Sequence, residues 1–288
     1  MTHDAAPTEA APTDGTAGDQ SPQARGLAVL GAGVMGSAVL DAILAAGLRE
    51  PSDVAVTTLD DASRRRWEER GVTVADNAEA VRDAGTVIVA VKPADVPTVL
   101  ADVRDALADG VVVLSLAAGV PLATLAQPLA DGTAIARVMP NTPALLGEGM
   151  AAISPNAHCT QEQIETVSQL LRATGRVVVV PEKQQDAVTA LSGSGPAYVF
   201  AVAEALIEGG VLLGLPRATA TELAEQTLYG AATMIRDSGT HVSLLREQVT
   251  SPGGTTAAAL REFDRHGLRS AIIAGMESAA AKSAALGS

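Results

Sequence analysis

The sequence predicts an α/β chain in two parts, a doubly wound sheet domain over residues 26–181 and an all-helical domain over residues 182–288. Three observations carry this. From residue 27, short β-branched runs alternate with alanine-rich stretches of helical length, the pattern of βαβ units that feed a parallel sheet. After residue 181 the β-rich runs stop and helix-length segments follow. The 288 residues, 47% of them hydrophobic, suffice for about two domains with a sizeable core.

Strands are expected at 27–30, 54–58, 72–74, 86–91, 111–116, 134–138, 151–153 and 177–180, each too short for a helix. From 184 to 285 the chain reads as helices separated at Gly193-Ser194-Gly195-Pro196, Gly214-Leu215-Pro216, Ser238-Gly239 and Ser251-Pro252-Gly253-Gly254. Gly and Pro end helices there, and Pro196 starts the next one at its first turn. The window 195–215 has the length of a membrane span, but Glu204 and Glu208 lie inside it, so a buried helix is expected. Residues 1–25 have almost nothing large to bury, which predicts a disordered tail; they lack the basic start and apolar stretch of a secretory signal.

Composition excludes several functions. A formal net charge of −13 opposes nucleic acid and anionic membranes, which need a basic face. Aromatics at 2% leave few base-stacking surfaces. The one cysteine, Cys159, cannot form an internal disulfide, and no Cys/His spacing resembles a zinc site. Glu204 and Glu208 lack further ligands, so no metal is expected, and a reducing, cytoplasmic compartment fits. The four histidines stand outside the motifs, which gives no support to a Ser-His-Asp arrangement.

The first chemical motif is Gly31-Ala32-Gly33-Val34-Met35-Gly36, directly after Leu30 ends the first strand and where a helix opens. In that context G-x-G-x-x-G predicts a dinucleotide site on a Rossmann-type fold. Gly31 permits the tight turn, Gly33 lets the pyrophosphate approach, and Gly36 allows close helix packing. At the end of the second strand an acidic residue would favour NAD; Thr57 and Thr58 stand there instead, followed by Arg64, Arg65 and Arg66. That suits a 2′-phosphate and favours NADPH, with NADH the alternative because Asp60 and Asp61 lie between.

Ala90-Val91-Lys92-Pro93 and Met139-Pro140-Asn141-Thr142-Pro143 follow the fourth and sixth strands. They are either ligand-lining loops at carboxyl ends of strands or plain turns. Further on, Ser251-Pro252-Gly253-Gly254-Thr255-Thr256 leads into a helix-forming run. Free N–H groups there, beside Ser251, Thr255 and Thr256, make a small anion cradle suited to a carboxylate; the alternative is that Thr255 is merely an N-cap.

These motifs, in this order, resemble pyrroline-5-carboxylate reductases. The likeness covers nearly everything after residue 25 and rests also on Asp186-Ala187-Val188-Thr189-Ala190-Leu191-Ser192-Gly193-Ser194-Gly195-Pro196-Ala197-Tyr198 and on Leu245-Arg246-Glu247-Gln248-Val249-Thr250 running into the cradle. The resemblance implies NAD(P)H-dependent reduction of a cyclic imine acid to L-proline. It places Asn77 near the adenosine ribose, and Ala90, Val91, Lys92 and Pro93 with Val138, Met139 and Pro140 beside the nicotinamide half. It also implies that Ser251, Gly254 and Thr255 hold the substrate carboxylate, that the catalytic Thr256 meets the ring nitrogen, and that Glu182 lies nearby. Apolar helical faces such as 201–207 call for cover by another chain. In the family that cover is a second copy, so the helical part is a dimerisation domain, and a homodimer or an oligomer of dimers is implied.

Overall fold

The computed structural model describes residues 26–287, so the expected tail at 1–25 lies outside the described residues. The first part runs β1 (Gly26–Leu30), α1 (Val34–Ala45), β2 (Val54–Thr57), α2 (Asp61–Glu69), β3 (Thr73–Val74), α3 (Asn77–Val81), β4 (Ala84–Val89), α4 (Val96–Val103), β5 (Val112–Ser115), α5 (Leu122–Ala126), β6 (Ala134–Met139), β7 (Gly149–Pro155), α6 (Gln161–Arg172) and β8 (Gly175–Val179). Each expected strand forms, in one eight-stranded sheet of order β3-β2-β1-β4-β5-β6-β7-β8. β1 lies between β2 and β4, parallel to both. The strand order reverses there, and a crevice opens at the carboxyl ends.

The central strands of the sheet are buried on both faces, whereas the edge strands β3 and β8 are partly exposed. Leu27 and Val29 face one apolar cluster with α1, Trp67 and the α6 residues Val167, Leu170 and Leu171. Ala28 and Leu30 face the other, with α3, α4 and Leu125. Successive strand residues point to opposite sides, so strands covered twice read as continuous apolar runs rather than alternating ones. Trp67 is fully buried. Arg66 and Arg70 stack over its ring at 4.9 and 4.7 Å, and both pair with Asp41 of α1.

One departure from a parallel sheet is β7, which runs antiparallel to β6 and parallel to β8. The β6–β7 connection holds only the 3-10 turn Thr142–Leu146. A parallel return needs a crossover of about a dozen residues or more, and this link is shorter.

The second part runs through a 3-10 turn (Glu182–Gln184), α7 (Gln185–Val188), a π turn (Thr189–Gly193), α8 (Gly195–Leu212), α9 (Arg217–Asp237), α10 (Val242–Gln248), α11 (Thr255–Arg265) and α12 (Leu268–Leu286). The expected junction at Gly193-Ser194-Gly195-Pro196 forms: Ser194 separates the π turn from α8, which has Pro196 in its first turn. Ser194 N–H bonds the Thr189 carbonyl at 2.8 Å, the wide bond of a π turn. One expectation is corrected, since α8 is not buried: none of its residues is buried within one chain, and Val199 and Phe200 stand exposed. α8 packs on α9, and that leaves the rest of its apolar surface uncovered. α12 returns to α7 and the π turn, where Ser283 Oγ donates to Asp186 at 2.7 Å.

Candidate active site

The crevice between β1 and β4 is built around glycines. Gly31 has φ +92°, left-handed backbone that favours glycine, and a Cβ there would lie 2.7 Å from Val91 Cγ1. Its N–H bonds the Thr57 hydroxyl at 3.0 Å, and Ala32 N–H bonds the Thr57 carbonyl at 2.8 Å. Thr57 therefore braces the loop from the neighbouring strand. A Cβ on Gly36 would meet the Gly31 carbonyl oxygen at 2.3 Å and Ala90 Cβ at 3.0 Å, whereas one on Gly33 would meet nothing within 4 Å.

Gly33 is the N-cap of α1; no side chain caps that helix and its first turn holds no acidic residue. Free N–H groups and the positive end of the helix dipole therefore face open space at Gly33, beside exposed Val34 and half-buried Met35. These residues fit a dinucleotide pyrophosphate.

The other expected cofactor residues converge on the same edge. Leu30 ends β1, and its carbonyl accepts from Ala90 N–H at 2.8 Å. Ala90 and Val91 are half-buried, Lys92 and Pro93 exposed. Val138 and Pro140 are buried and Met139 half-buried at the end of β6. Thr58 Oγ1 accepts from Asp60 N–H at 3.2 Å, and Asn77 opens α3 with its amide 3.4 Å from Asp102. Of the arginines after β2, Arg66 is held by Asp41 at 2.6 Å, while Arg64 and Arg65 are exposed and form no salt bridge with a described residue.

Glu182 is engaged on the sheet side. Its carboxylate accepts from Leu122 N–H at 2.6 Å and lies 3.5 Å from the buried guanidinium of Arg137, which is 3.9 Å from Asp186. Pro121 as N-cap offers no side-chain bond, so Glu182 does that work for α5. Cys159 donates to the Ile135 carbonyl, and burial pushes its thiol pKa up, which leaves it a poor nucleophile.

In the helical part Gly253 has φ +69°, and Gly254 N–H bonds the Ser251 carbonyl at 3.0 Å. A Cβ on Gly254 would fall 2.3 Å from Ser251 Oγ. Gly254 is the N-cap of α11 and no side chain caps the helix, so Thr255 occupies the first helical position and is not the cap. The Thr255 and Thr256 hydroxyls bond no described residue. The turn stands mostly exposed, with Thr256 half-buried.

Sequence reasoning passed over two parts of this region. Ala117, Ala118 and Gly119 follow β5, which lies between β4 and β6; the rule that named the loops after β4 and β6 applies equally there. Asn141 stands in the loop after β6, and nothing in the local motif shows that its side chain joins that loop to β7 and to the π turn.

The pyrroline-5-carboxylate reductase dimerisation model matches residues 182–286, and a model described as NADP oxidoreductase coenzyme F420-dependent matches residues 26–119. The chain is 41% identical over 255 residues to pyrroline-5-carboxylate reductase of Corynebacterium melassecola, covering 87% of this chain and 94% of that protein. Its fold matches that of a pyrroline-5-carboxylate reductase from Coxiella burnetii with TM-score 0.88 at 34% identity, over 92% of this chain and 99% of that one. It also matches a Plasmodium falciparum pyrroline carboxylate reductase solved with NADP bound, with TM-score 0.82 at 29% identity and the same coverage.

Proposed function

Because this chain belongs to the pyrroline-5-carboxylate reductase family, we propose how its residues divide the reduction of 1-pyrroline-5-carboxylate to L-proline. The enzyme is an oxidoreductase that uses NAD(P)H. The observation that carries the division of labour is a pair of helix starts, α1 and α11, neither closed by a side chain. Each presents N–H groups and a positive dipole end to an anion. We assign the first to the cofactor pyrophosphate, at Gly31, Ala32, Gly33, Val34, Met35 and Gly36, and the second to the substrate carboxylate, at Ser251, Gly254 and Thr255.

Bound NAD(P)H supplies the hydride to the imine carbon. Ala90, Val91, Lys92 and Pro93 on one side, and Val138, Met139 and Pro140 on the other, form the walls for the nicotinamide half. Thr57, Thr58 and Asn77 border the adenosine half, where Arg64 and Arg65 favour the 2′-phosphate of NADPH. Thr256 Oγ accepts from the ring N–H of the protonated imine. That imine is already electrophilic, so positioning rather than a strong acid supplies most of the acceleration. Glu182 acts on the substrate side through position, by holding the first turn of α5 against Arg137.

The test is NADPH oxidation with 1-pyrroline-5-carboxylate, run beside NADH and beside a cyclic imine lacking the carboxylate. Turnover that requires the carboxylate, with NADPH preferred, is expected. Equal turnover of the truncated imine would remove the α11 cradle from the reading.

We also propose a homodimer, or an oligomer of dimers, working in the cytoplasm. Glu182–Leu212 is long and apolar enough to cross a membrane, but it lies in the segment matched by the dimerisation model, and a second chain is the cover that fits its exposed Val199 and Phe200. Light scattering is expected to give a dimer at assay concentrations; a dilute monomer with full activity would overturn it.

A further inference from the structure

We propose that Asn141 is a positioning residue for the reduction: its side-chain amide locks the π turn of the helical part onto the wall formed by Met139 and Pro140. The inference rests on the functional reading above for its kinetic consequence, and on geometry alone for the lock.

The need for a lock begins in the sequence. In a helix the Ser192 carbonyl would accept from the N–H four residues on, but that residue is Pro196, which has none. The widened turn 189–193 and Pro196 thus leave a half-buried carbonyl without its helical donor, and such groups need another. Asn141 supplies it: Nδ2 donates to the Ser192 carbonyl at 3.0 Å. On its other side Oδ1 accepts from Met150 N–H, in β7, at 2.8 Å. One partner is a carbonyl and the other an N–H, so the amide has a single orientation that satisfies both. A second side chain serves the same turn, since Tyr198 donates from its hydroxyl to the Ala190 carbonyl at 3.0 Å.

Packing reinforces the joint. Met139 Cε occupies the space 2.4 Å from where a Cβ on Gly193 would stand, so a side chain there would push the flexible end of Met139 off the turn. Met139, Pro140 and Asn141 are consecutive. The bond to Ser192 and the contact with Gly193 therefore fix the proposed nicotinamide wall relative to the start of α8. Hydride transfer depends steeply on such registration, and small misplacements away from the chemistry lower the rate.

Asn141→Asp, made in the full-length chain, is the informative change. It keeps the acceptor for Met150 N–H and removes the donor to Ser192. Amide hydrogen exchange at Gly193 and Ser194 is expected to quicken about tenfold. With NADPH deuterated at the transferred position, kcat is expected to fall about tenfold and the isotope effect to grow, while the Kd for NADPH stays within about twofold. Gly193→Ala attacks the same joint from the packing side and is expected to give the same pattern.

Unchanged exchange in Asn141→Asp would overturn the lock. A lower kcat with an unchanged isotope effect and a lowered melting temperature would show a merely structural role and overturn the positioning claim. A wild-type chain that turns over no imine would refute the functional reading instead, and the exchange result would still decide the lock.

Discussion

Thr256→Ala is expected to lower kcat/KM for the imine acid by roughly ten- to a hundredfold and to leave the Kd for NADPH within about twofold. Thr256 occupies the second position of α11 and its hydroxyl bonds no described residue, so removal orphans nothing in the free enzyme. Alanine is a better helix former than threonine, and the helix start persists. What is lost is one hydrogen bond to a charged ring nitrogen, the class of bond worth about 1.5–3 kcal/mol. Steady-state kinetics beside a fluorescence titration with NADPH decide the matter. Restoration of the rate by Thr256→Ser would tie the loss to the hydroxyl. An unchanged kcat/KM in the alanine variant would take Thr256 out of the mechanism.

A paired change in the glycine loop is expected to separate packing from ligand binding. Gly36→Ala sets a Cβ 2.3 Å from the Gly31 carbonyl oxygen, closer than the backbone can accept without shifting. The variant is expected to lose about 1–3 kcal/mol of stability and its NADPH affinity together, because Gly31 and the start of α1 move. Gly33→Ala adds the same atom where nothing lies within 4 Å. Its apo melting temperature is expected to stay put while the Kd for NADPH rises about tenfold or more, since the methyl enters the space assigned to the pyrophosphate. Intact NADPH binding in Gly33→Ala would move the phosphate site elsewhere.

Much of the sheet domain was legible because buried parallel strands announce themselves: runs such as 86–91 and 111–116 are apolar on both faces and too short for helices. The glycine loop was legible for a similar reason, since each glycine answers a steric demand visible in the motif alone. The direction of β7 was hidden, because it depends on the length and path of the connection after Pro140 rather than on any property of 151–153. The exposure of α8 was misjudged from composition. An apolar helix reads the same whether its own chain or another covers it. The junction before α8 was legible from Gly and Pro, but the π turn at 189–193 that precedes it was hidden, because only the Ser194 to Thr189 bond marks it. Glu182 was placed near the substrate by resemblance, but its ties to Leu122 and Arg137 depend on contacts across 60 and 45 residues of sequence, beyond what local pattern reveals.

Trp67, the one tryptophan in the chain, sits fully buried beneath two guanidinium groups on the helix that follows β2. Its emission is therefore expected to be blue-shifted and to come from a single donor, on the helix that follows the loop assigned to the adenosine half of the cofactor. A reduced nicotinamide absorbs in that emission band, so with excitation selective for tryptophan, occupancy of the crevice is expected to read out as quenching of one known residue per chain. The two tyrosines, Tyr198 and Tyr229, belong instead to α8 and α9. Intrinsic fluorescence thus divides along the same line as the architecture, one chromophore for the sheet and two for the helices.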